Sequence, residues 1–182
     1  AGARPFIVPA MGSHGGATGE GQKALLEHLG ITEGFTGAPI RSSMDVVQVA
    51  VSPRFGMPVF VDAQALAADG IVIINRVKAH AAYTGTYESG LLKMVAIGLG
   101  KQKQAEICHN VGAERIGEFI ADIGLEALKH IHLVAAVALI ENAFHETAGV
   151  EVLRGGEIEA REPALLAEAK RLAARFHIQE FE

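Results

Sequence analysis

The sequence predicts an α/β fold with a mainly parallel sheet flanked by helices and with an added β-hairpin. Short apolar stretches alternate along the chain with longer amphipathic ones, which is the order of elements in α/β domains. Two apolar stretches, "GIVIIN" and "HLVAAVALIE", are continuous rather than alternating, as is typical of strands buried on both faces. In "VVQVAVSPRFGMPVFVD", two strand-like stretches flank the turn "SPRFG" and predict the hairpin.

The individual elements follow from these patterns. Strands are predicted over residues 6–9, 46–51, 58–61, 71–75, 133–140 and 150–153. Thr18 is a candidate cap for a first helix in "GEGQKALLEHL", and Gly30 is a candidate end for it. A buried helix is predicted in "ESGLLKMVAIGLG", which is apolar on most sides.

Two further helices are predicted in the second half of the chain. An amphipathic helix is expected in "AERIGEFIADIGLEALKHI" because apolar residues fall on one helical face, namely Ile116, Phe119, Ile120 and Ile123. The stretch "EPALLAEAKRLAARF" repeats that pattern and places Pro163 in the first turn, where a missing N–H is tolerated.

Composition and charge exclude several classes of protein. Apolar residues make up 49% and charged residues 20% of the 182, as in soluble globular domains. The net charge is −5 and no basic stripe with interleaved aromatics occurs, so no nucleic-acid partner is expected. No apolar run approaches the about 18 residues of a membrane span, and the N-terminus has no signal-peptide pattern. The single cysteine, Cys108, excludes an internal disulfide framework and predicts a cytoplasmic protein.

The domain organisation is predicted to be simple. We expect one α/β domain over residues 1–182, because the sequence contains no internal repeat, low-complexity segment or linker. The chain begins without Met and enters a predicted strand almost at once, so we also expect a fragment of a longer polypeptide.

Three polar segments could carry chemistry. The first is "AMGSHGG" with His14, the second is "NRVKAHAAYTGTYESGLLK" with His80, Glu88 and Lys93, and the third is "EICHN" with His109. In open α/β sheets, ligands bind at the carboxyl ends of the strands, and both His14 and His80 are predicted to lie at that edge. The two histidines are therefore candidates for a facing acid and base pair.

Each candidate also has a structural interpretation. A histidine in a glycine-rich turn can be a polar residue in a loop that needs positive φ, and Lys93 can extend to the surface from its apolar surroundings. A desolvated lysine amine can equally be a nucleophile. Cys108 and His109 are adjacent and point apart, and no CxxC or HExxH accompanies them, so no zinc site is predicted.

Taken together, four segments in the same order and spacing resemble one known family. The segments "VPAMGSHGGAT", "NRVKAH", "ESGLLKMVAIGLGK" and "AEICHN" resemble the nickel-dependent lactate racemase family, the racemases and epimerases of 2-hydroxy acids. The resemblance implies an isomerase with a nickel pincer nucleotide, which dedicated cofactor-maturation proteins supply. It implies that Lys93 is the cofactor-binding tether, that His109 is the metal ligand, and that His14 and His80 are the catalytic acid and base.

The chain also departs from the family's pattern. The interval from His80 to Lys93 is a few residues longer than in the best-known lactate racemase. The family's arginine-rich segment, which holds the substrate carboxylate, and its C-terminal domain correspond to nothing in this sequence. Arg41, Arg76 and Lys78 are therefore candidates to contact a carboxylate or phosphate, and whether the 182 residues are active alone stays open.

Two other classes of function stay open from the residues alone. One is a non-catalytic ligand- or metal-binding module on the same scaffold, in which Lys93 or His109 turns away from the cleft. The other is a hydrolase or lyase that pairs His14 with Glu88, which requires this carboxylate within hydrogen-bond reach of a histidine.

Overall fold

Five strands and seven helices make up residues 2–174, the part of the chain that the computed structural model describes. The strands are β1 (Val46–Val51), β2 (Pro58–Asp62), β3 (Ile71–Arg76), β4 (Leu133–Glu141) and β5 (Thr147–Arg154). The helices are α1 (Gly19–His28), α2 (Glu33–Thr36), α3 (Ala63–Leu66), α4 (Leu91–Lys93), α5 (Lys101–Asn110), α6 (Ile116–Leu128) and α7 (Ile158–Leu172). The mixed α/β class predicted from the sequence is confirmed.

The strands form two separate sheets. β1 and β2 pair antiparallel, which confirms the predicted hairpin, and β3, β4 and β5 form a three-stranded sheet in that order. β3 and β4 are parallel, whereas β4 and β5 are antiparallel. The expectation of a mainly parallel sheet is therefore wrong. The physical reason is the short loop 142–146 between β4 and β5, since a parallel pair needs a crossover of a dozen or more residues.

The predicted first strand is also wrong. Residues 6–9 make a single bridge, in which Ile7 donates to the Pro39 carbonyl at 2.9 Å and accepts from the Arg41 N–H at 2.8 Å. Pro5 and Pro9 flank this bridge, and neither has an N–H for a longer ladder.

The core lies between the helices and one face of each sheet. Phe119, Ile120 and Ile123 of α6 are fully buried there, as their spacing predicts. The opposite face of the three-stranded sheet is open in the described chain, with Val72 57% and Ile74 65% exposed. The continuous apolar stretch of β3 therefore does not mark burial on both faces, as the sequence had indicated.

The helix ends agree with the predicted signals except in α7. The Thr18 side chain accepts the Gly21 N–H at 3.0 Å, and Gly30 has a φ of 83° beyond the end of α1. α7 begins at Ile158, so Pro163 lies inside the helix and not in its first turn. Pro163 cannot donate to the Glu159 carbonyl one turn earlier, and that carbonyl instead accepts the hydroxyl of Tyr87 at 2.9 Å.

The stretch "ESGLLKMVAIGLG" is buried as predicted but is not one regular helix. α4 continues into a π-helical turn over Met94–Gly98, closed by a 2.9 Å hydrogen bond from the Leu99 N–H to the Met94 carbonyl. Single π turns inside helices occur often at functional sites. No helix in residues 2–174 combines the length and the apolar character that crossing a bilayer requires.

Candidate active site

Two of the four predicted site residues come together around Tyr83. The imidazole of His80 stacks on the Tyr83 ring with 4.2 Å between ring centroids. The ammonium of Lys93 lies 5.7 Å from the centroid of the same ring. Tyr83 is buried, and the sequence analysis gave it no role although it lies in the same polar segment. Both His80 and Lys93 therefore contact the buried Tyr83 ring.

The environment of His80 favours its neutral form. Partial burial lowers the pKa of His80, and the ammonium groups of Lys93 and Lys78 lower it further, against the opposing charge of Glu88. The Ala82 N–H donates to Nδ1 of His80 at 3.1 Å. This contact assigns the proton of the neutral ring to Nε2. His80 therefore presents a hydrogen-bond donor to its surroundings in this conformation.

Lys93 is a half-buried amine at the junction of α4 and the π turn. Burial lowers the pKa of Lys93, and the Lys78 ammonium lowers it further. The neighbouring Cys108 thiol opposes this only when it is ionised. Burial raises the pKa of Cys108 to about 11, so the thiol is neutral near pH 7 and does not stabilise the ammonium there. The arrangement suits a lysine that reacts as a free amine.

The loop that carries His14 packs onto the segment that carries Lys93. The Gly12 N–H donates to the Gly98 carbonyl at 3.3 Å, and a Cβ on Gly12 would lie 3.2 Å from Cγ2 of Ile97. Gly12 also has a φ of 60°, which favours glycine. His14 itself is exposed at the end of this contact. The glycine-rich sequence thus serves a turn and a close approach to the π-helical segment at once.

The same loop is held from beneath by buried polar residues that the sequence analysis missed. The side-chain N–H groups of Gln22 donate to the carbonyls of Gly12 at 2.8 Å and His14 at 3.2 Å. The Gln22 carbonyl oxygen accepts from the ammonium of Lys101 at 3.1 Å, and both side chains are fully buried. A lone Gln and Lys in amphipathic stretches give no sequence signal of such a network, because each is ordinarily a surface residue.

His109 lies in the last turn of α5, and its side chain is exposed. Among residues 2–174, no hydrogen bond or ring contact joins the imidazoles of His14 or His109 to His80 or Lys93. The described residues also contain no group of three His, Cys, Asp or Glu side chains that could hold a metal ion.

The other candidates have partners of their own. The two carboxylate oxygens of Glu88 accept two backbone N–H groups and the ammonium of Lys170. Within residues 2–174, none of the hydrogen bonds of this carboxylate comes from an imidazole. The pairing of His14 with Glu88 in a hydrolase or lyase is therefore not supported. Arg76 forms an ion pair with Glu141 at 2.8 Å, and the guanidinium of Arg41 lies over the Phe6 ring.

The fold is mixed α/β, and it is similar to that of a solved structure. The chain is similar in structure to the lactate racemase apoprotein from Thermoanaerobacterium thermosaccharolyticum, with a TM-score of 0.61 and 17% sequence identity over 89% of this chain. The chain spans 40% of the length of that protein. No protein-family model and no curated protein sequence matches the chain. At this identity the likeness shows the fold alone.

Proposed function

We propose that this chain acts as a 2-hydroxy-acid racemase or epimerase that uses a nickel pincer nucleotide. The observation that carries the proposal is the contact of His80 and Lys93 with the same buried Tyr83 ring, on a fold similar to that of a lactate racemase apoprotein. An acid–base group and a partly desolvated amine then share one aromatic neighbour, and the charge of Lys93 lowers the pKa of His80. The same activity is proposed for any longer protein that contains this chain.

The residues present fit the proposed cofactor. Lys93 has a lowered pKa because it is partly buried, so its amine is available to hold the nucleotide through a thioacyl link. His109 has no protein partner for its ring in the described chain, and an imidazole is a suitable nickel ligand.

The proposed reaction assigns proton transfer to the two histidines. The Cα–H of a 2-hydroxy acid is weakly acidic, so direct proton abstraction there is slow. When bound, the nickel pincer nucleotide supplies an acceptor for hydride from Cα. His14 and His80 each take or return the proton of the substrate hydroxyl group on one face of the planar 2-keto acid. Two imidazoles are needed because the two enantiomers present this hydroxyl on opposite sides.

The hydrogen bond of His80 adds one step to this scheme. With the Ala82 N–H on Nδ1, the neutral ring carries its proton on Nε2 and can donate there but not accept. In this conformation, His80 can therefore hold the substrate oxygen by donating the Nε2 proton to it. To take a proton at Nε2, the ring must first give up the Ala82 contact.

A second candidate function is a non-catalytic binding module on the same scaffold. It is favoured by one observation, namely that no hydrogen bond or ring contact joins His14 or His109 to the His80 and Lys93 pair in residues 2–174. In that case the Lys93 amine would hold a ligand that is never turned over.

The test uses the chain within the complete open reading frame that encodes it, coexpressed with the cofactor-maturation proteins of a nickel-dependent racemase. Intact mass and nickel content report loading, and Lys93→Arg is expected to abolish the covalent adduct. Single-enantiomer 2-hydroxy acids are then incubated in deuterated water. Chiral analysis measures racemisation, and mass spectrometry measures deuterium at Cα.

The outcomes separate the candidates. Racemisation without deuterium at Cα, lost in His14→Ala and in His80→Ala, supports the proposal. Racemisation with deuterium at Cα would mean direct proton abstraction and refute the hydride scheme. A loaded protein that turns over no 2-hydroxy acid supports the binding module.

A further inference from the structure

A buried carboxylate anchors the loop that carries His80. The ends of this loop are joined by two backbone hydrogen bonds between Lys78 and Ser89, at 2.8 and 3.2 Å. Inside it, Oε2 of Glu88 accepts the His80 N–H at 2.8 Å, and Oε1 accepts the Gly85 N–H at 3.1 Å. Glu88 is only 1% exposed. One carboxylate thus fixes the backbone of His80 and the far side of its loop.

The charge of this carboxylate is maintained from another element. The ammonium of Lys170, on α7, donates to Oε1 of Glu88 at 2.6 Å. Burial raises the pKa of Glu88, but the Lys170 ammonium and the N–H groups of His80 and Gly85 outweigh burial and leave that pKa below its usual value. Glu88 is therefore an anion at neutral pH, and charged acceptors form the stronger hydrogen bonds.

The loop is tied to α7 at one further point and is braced internally by Tyr83. The Tyr87 hydroxyl donates to the Glu159 carbonyl, which Pro163 leaves without a helical partner. The Tyr83 hydroxyl donates to the Glu88 carbonyl at 3.3 Å, and the Tyr83 ring supports the imidazole of His80. Movement of α7 relative to the loop would therefore be transmitted to His80.

We propose that Glu88 and Lys170 are positioning residues that set the imidazole of His80 for proton transfer. Neither acts on the substrate: Glu88 holds the His80 backbone, and Lys170 keeps Glu88 charged and in place. The inference rests on the proposed function, because it is the role of His80 in acid–base chemistry that makes its position matter.

Lys170→Met is the main test, because the Lys170 side chain is 41% exposed and its removal opens no cavity. Without the ammonium, the hydrogen bonds of Glu88 weaken, and amide exchange at His80 and Gly85 is expected to accelerate by about tenfold to a hundredfold. The imidazole nitrogen resonances of His80 should shift as its backbone loses the fixed position that Glu88 gives it. In the loaded enzyme, kcat should fall by about tenfold while KM changes by less than about threefold.

Two further variants complete the design. Lys170→Arg keeps the positive charge and should restore both exchange and kcat. Lys129→Met removes the same charge from another lysine–glutamate pair, since Lys129 lies 2.7 Å from Glu126 on the surface, and should change neither quantity. Glu88→Gln should reproduce the Lys170→Met exchange pattern if it folds, because an amide N–H then faces one of the backbone donors.

The exchange and resonance measurements need no cofactor and use the 182-residue chain itself. Unchanged exchange at His80 and Gly85 in Lys170→Met would overturn the inference, as would equal effects of Lys129→Met. A loaded wild type that does not racemise counts against the proposed function, and the exchange result still decides the positioning of His80.

Discussion

The ammonium of Lys101 lies 3.2 Å from Oδ2 of Asp62, and the two side chains are 0% and 1% exposed. Burial lowers the pKa of Lys101, and the Asp62 carboxylate opposes that effect. The same ammonium donates to the Pro9 carbonyl and to the side chain of Gln22. Since Gln22 holds the carbonyls of Gly12 and His14, the ion pair fixes the His14 loop onto the end of β2.

Lys101→Met should destabilise the chain by about 3–5 kcal/mol, because it leaves the Asp62 carboxylate buried without its counterion. The free energy of unfolding in urea measures this cost. Lys103→Met is the matched control two residues along α5, where the side chain is exposed and lies over the Phe60 ring, so a cost of about 1 kcal/mol or less is expected. Equal costs for the two variants would show that the buried ion pair contributes nothing.

Glu162 gives the chain a pH-dependent stability. Its Oε2 accepts the Leu92 N–H at 2.8 Å, and burial raises the pKa of Glu162 to about 7, against the N–H groups of Leu92 and Leu91. A pKa that is higher in the folded than in the unfolded chain contributes stability that is complete below about 4.5 and is lost as the pH rises through about 7.

Glu162→Gln is expected to remove this dependence, because the amide keeps an acceptor for Leu92 and does not ionise. The variant should match the wild type near pH 4.5 and gain about 3 kcal/mol over it near pH 8. Urea unfolding of both proteins across this range measures the difference, in which titration of Glu88 and other groups cancels. A constant difference at every pH would contradict the assignment to Glu162.

The lowered pKa of Lys93 should be visible in its reactivity. Burial and Lys78 lower the pKa of Lys93, whereas the hydrogen bond to Glu126 raises the pKa of exposed Lys129. When acetylation rates are measured across pH by peptide mass spectrometry, the rate at Lys93 should therefore reach half its maximum at a lower pH than the rate at Lys129. Limited access lowers the acetylation rate of Lys93 at every pH but does not change the pH at which that rate is half its maximum. Lys78→Met should raise that pH for Lys93, and an unchanged value would exclude the Lys78 charge as a cause.

Local sequence patterns predicted the elements better than their arrangement. The hairpin, the cap at Thr18 and the buried face of α6 depend on residues close in sequence, and all three are confirmed. β5 runs antiparallel to β4 because the loop between them is too short for a crossover. The hydrophobic pattern of each strand, taken alone, contains no information on the length of that loop. Pro163 lies inside α7, and the carbonyl that it leaves without a helical partner accepts the hydroxyl of Tyr87, which is distant in sequence.

In the candidate site, too, the sequence indicated residues that lie close together in the chain and missed contacts between residues that are distant in it. His80 and Lys93 were proposed from the sequence as members of one polar segment, and in the structure both contact Tyr83. The roles of Glu88 and Lys101 were missed because their partners are distant in sequence, at Lys170 and Asp62. The roles of His14, His80, Lys93 and His109 all stay predictions, as does a single domain over the whole chain.

The open face of the three-stranded sheet allows a matched test of burial on neighbouring residues of β3. Ile73 is 5% exposed and packs in the core, whereas Ile74 is 65% exposed on the opposite face. Ile73→Ala should cost about 2–5 kcal/mol through lost burial and a cavity. Ile74→Ala should cost about 1 kcal/mol or less, which is the range of strand preference alone. Both are measured by urea unfolding at several protein concentrations, and a large, concentration-dependent cost at Ile74 would mean that this face is covered in solution.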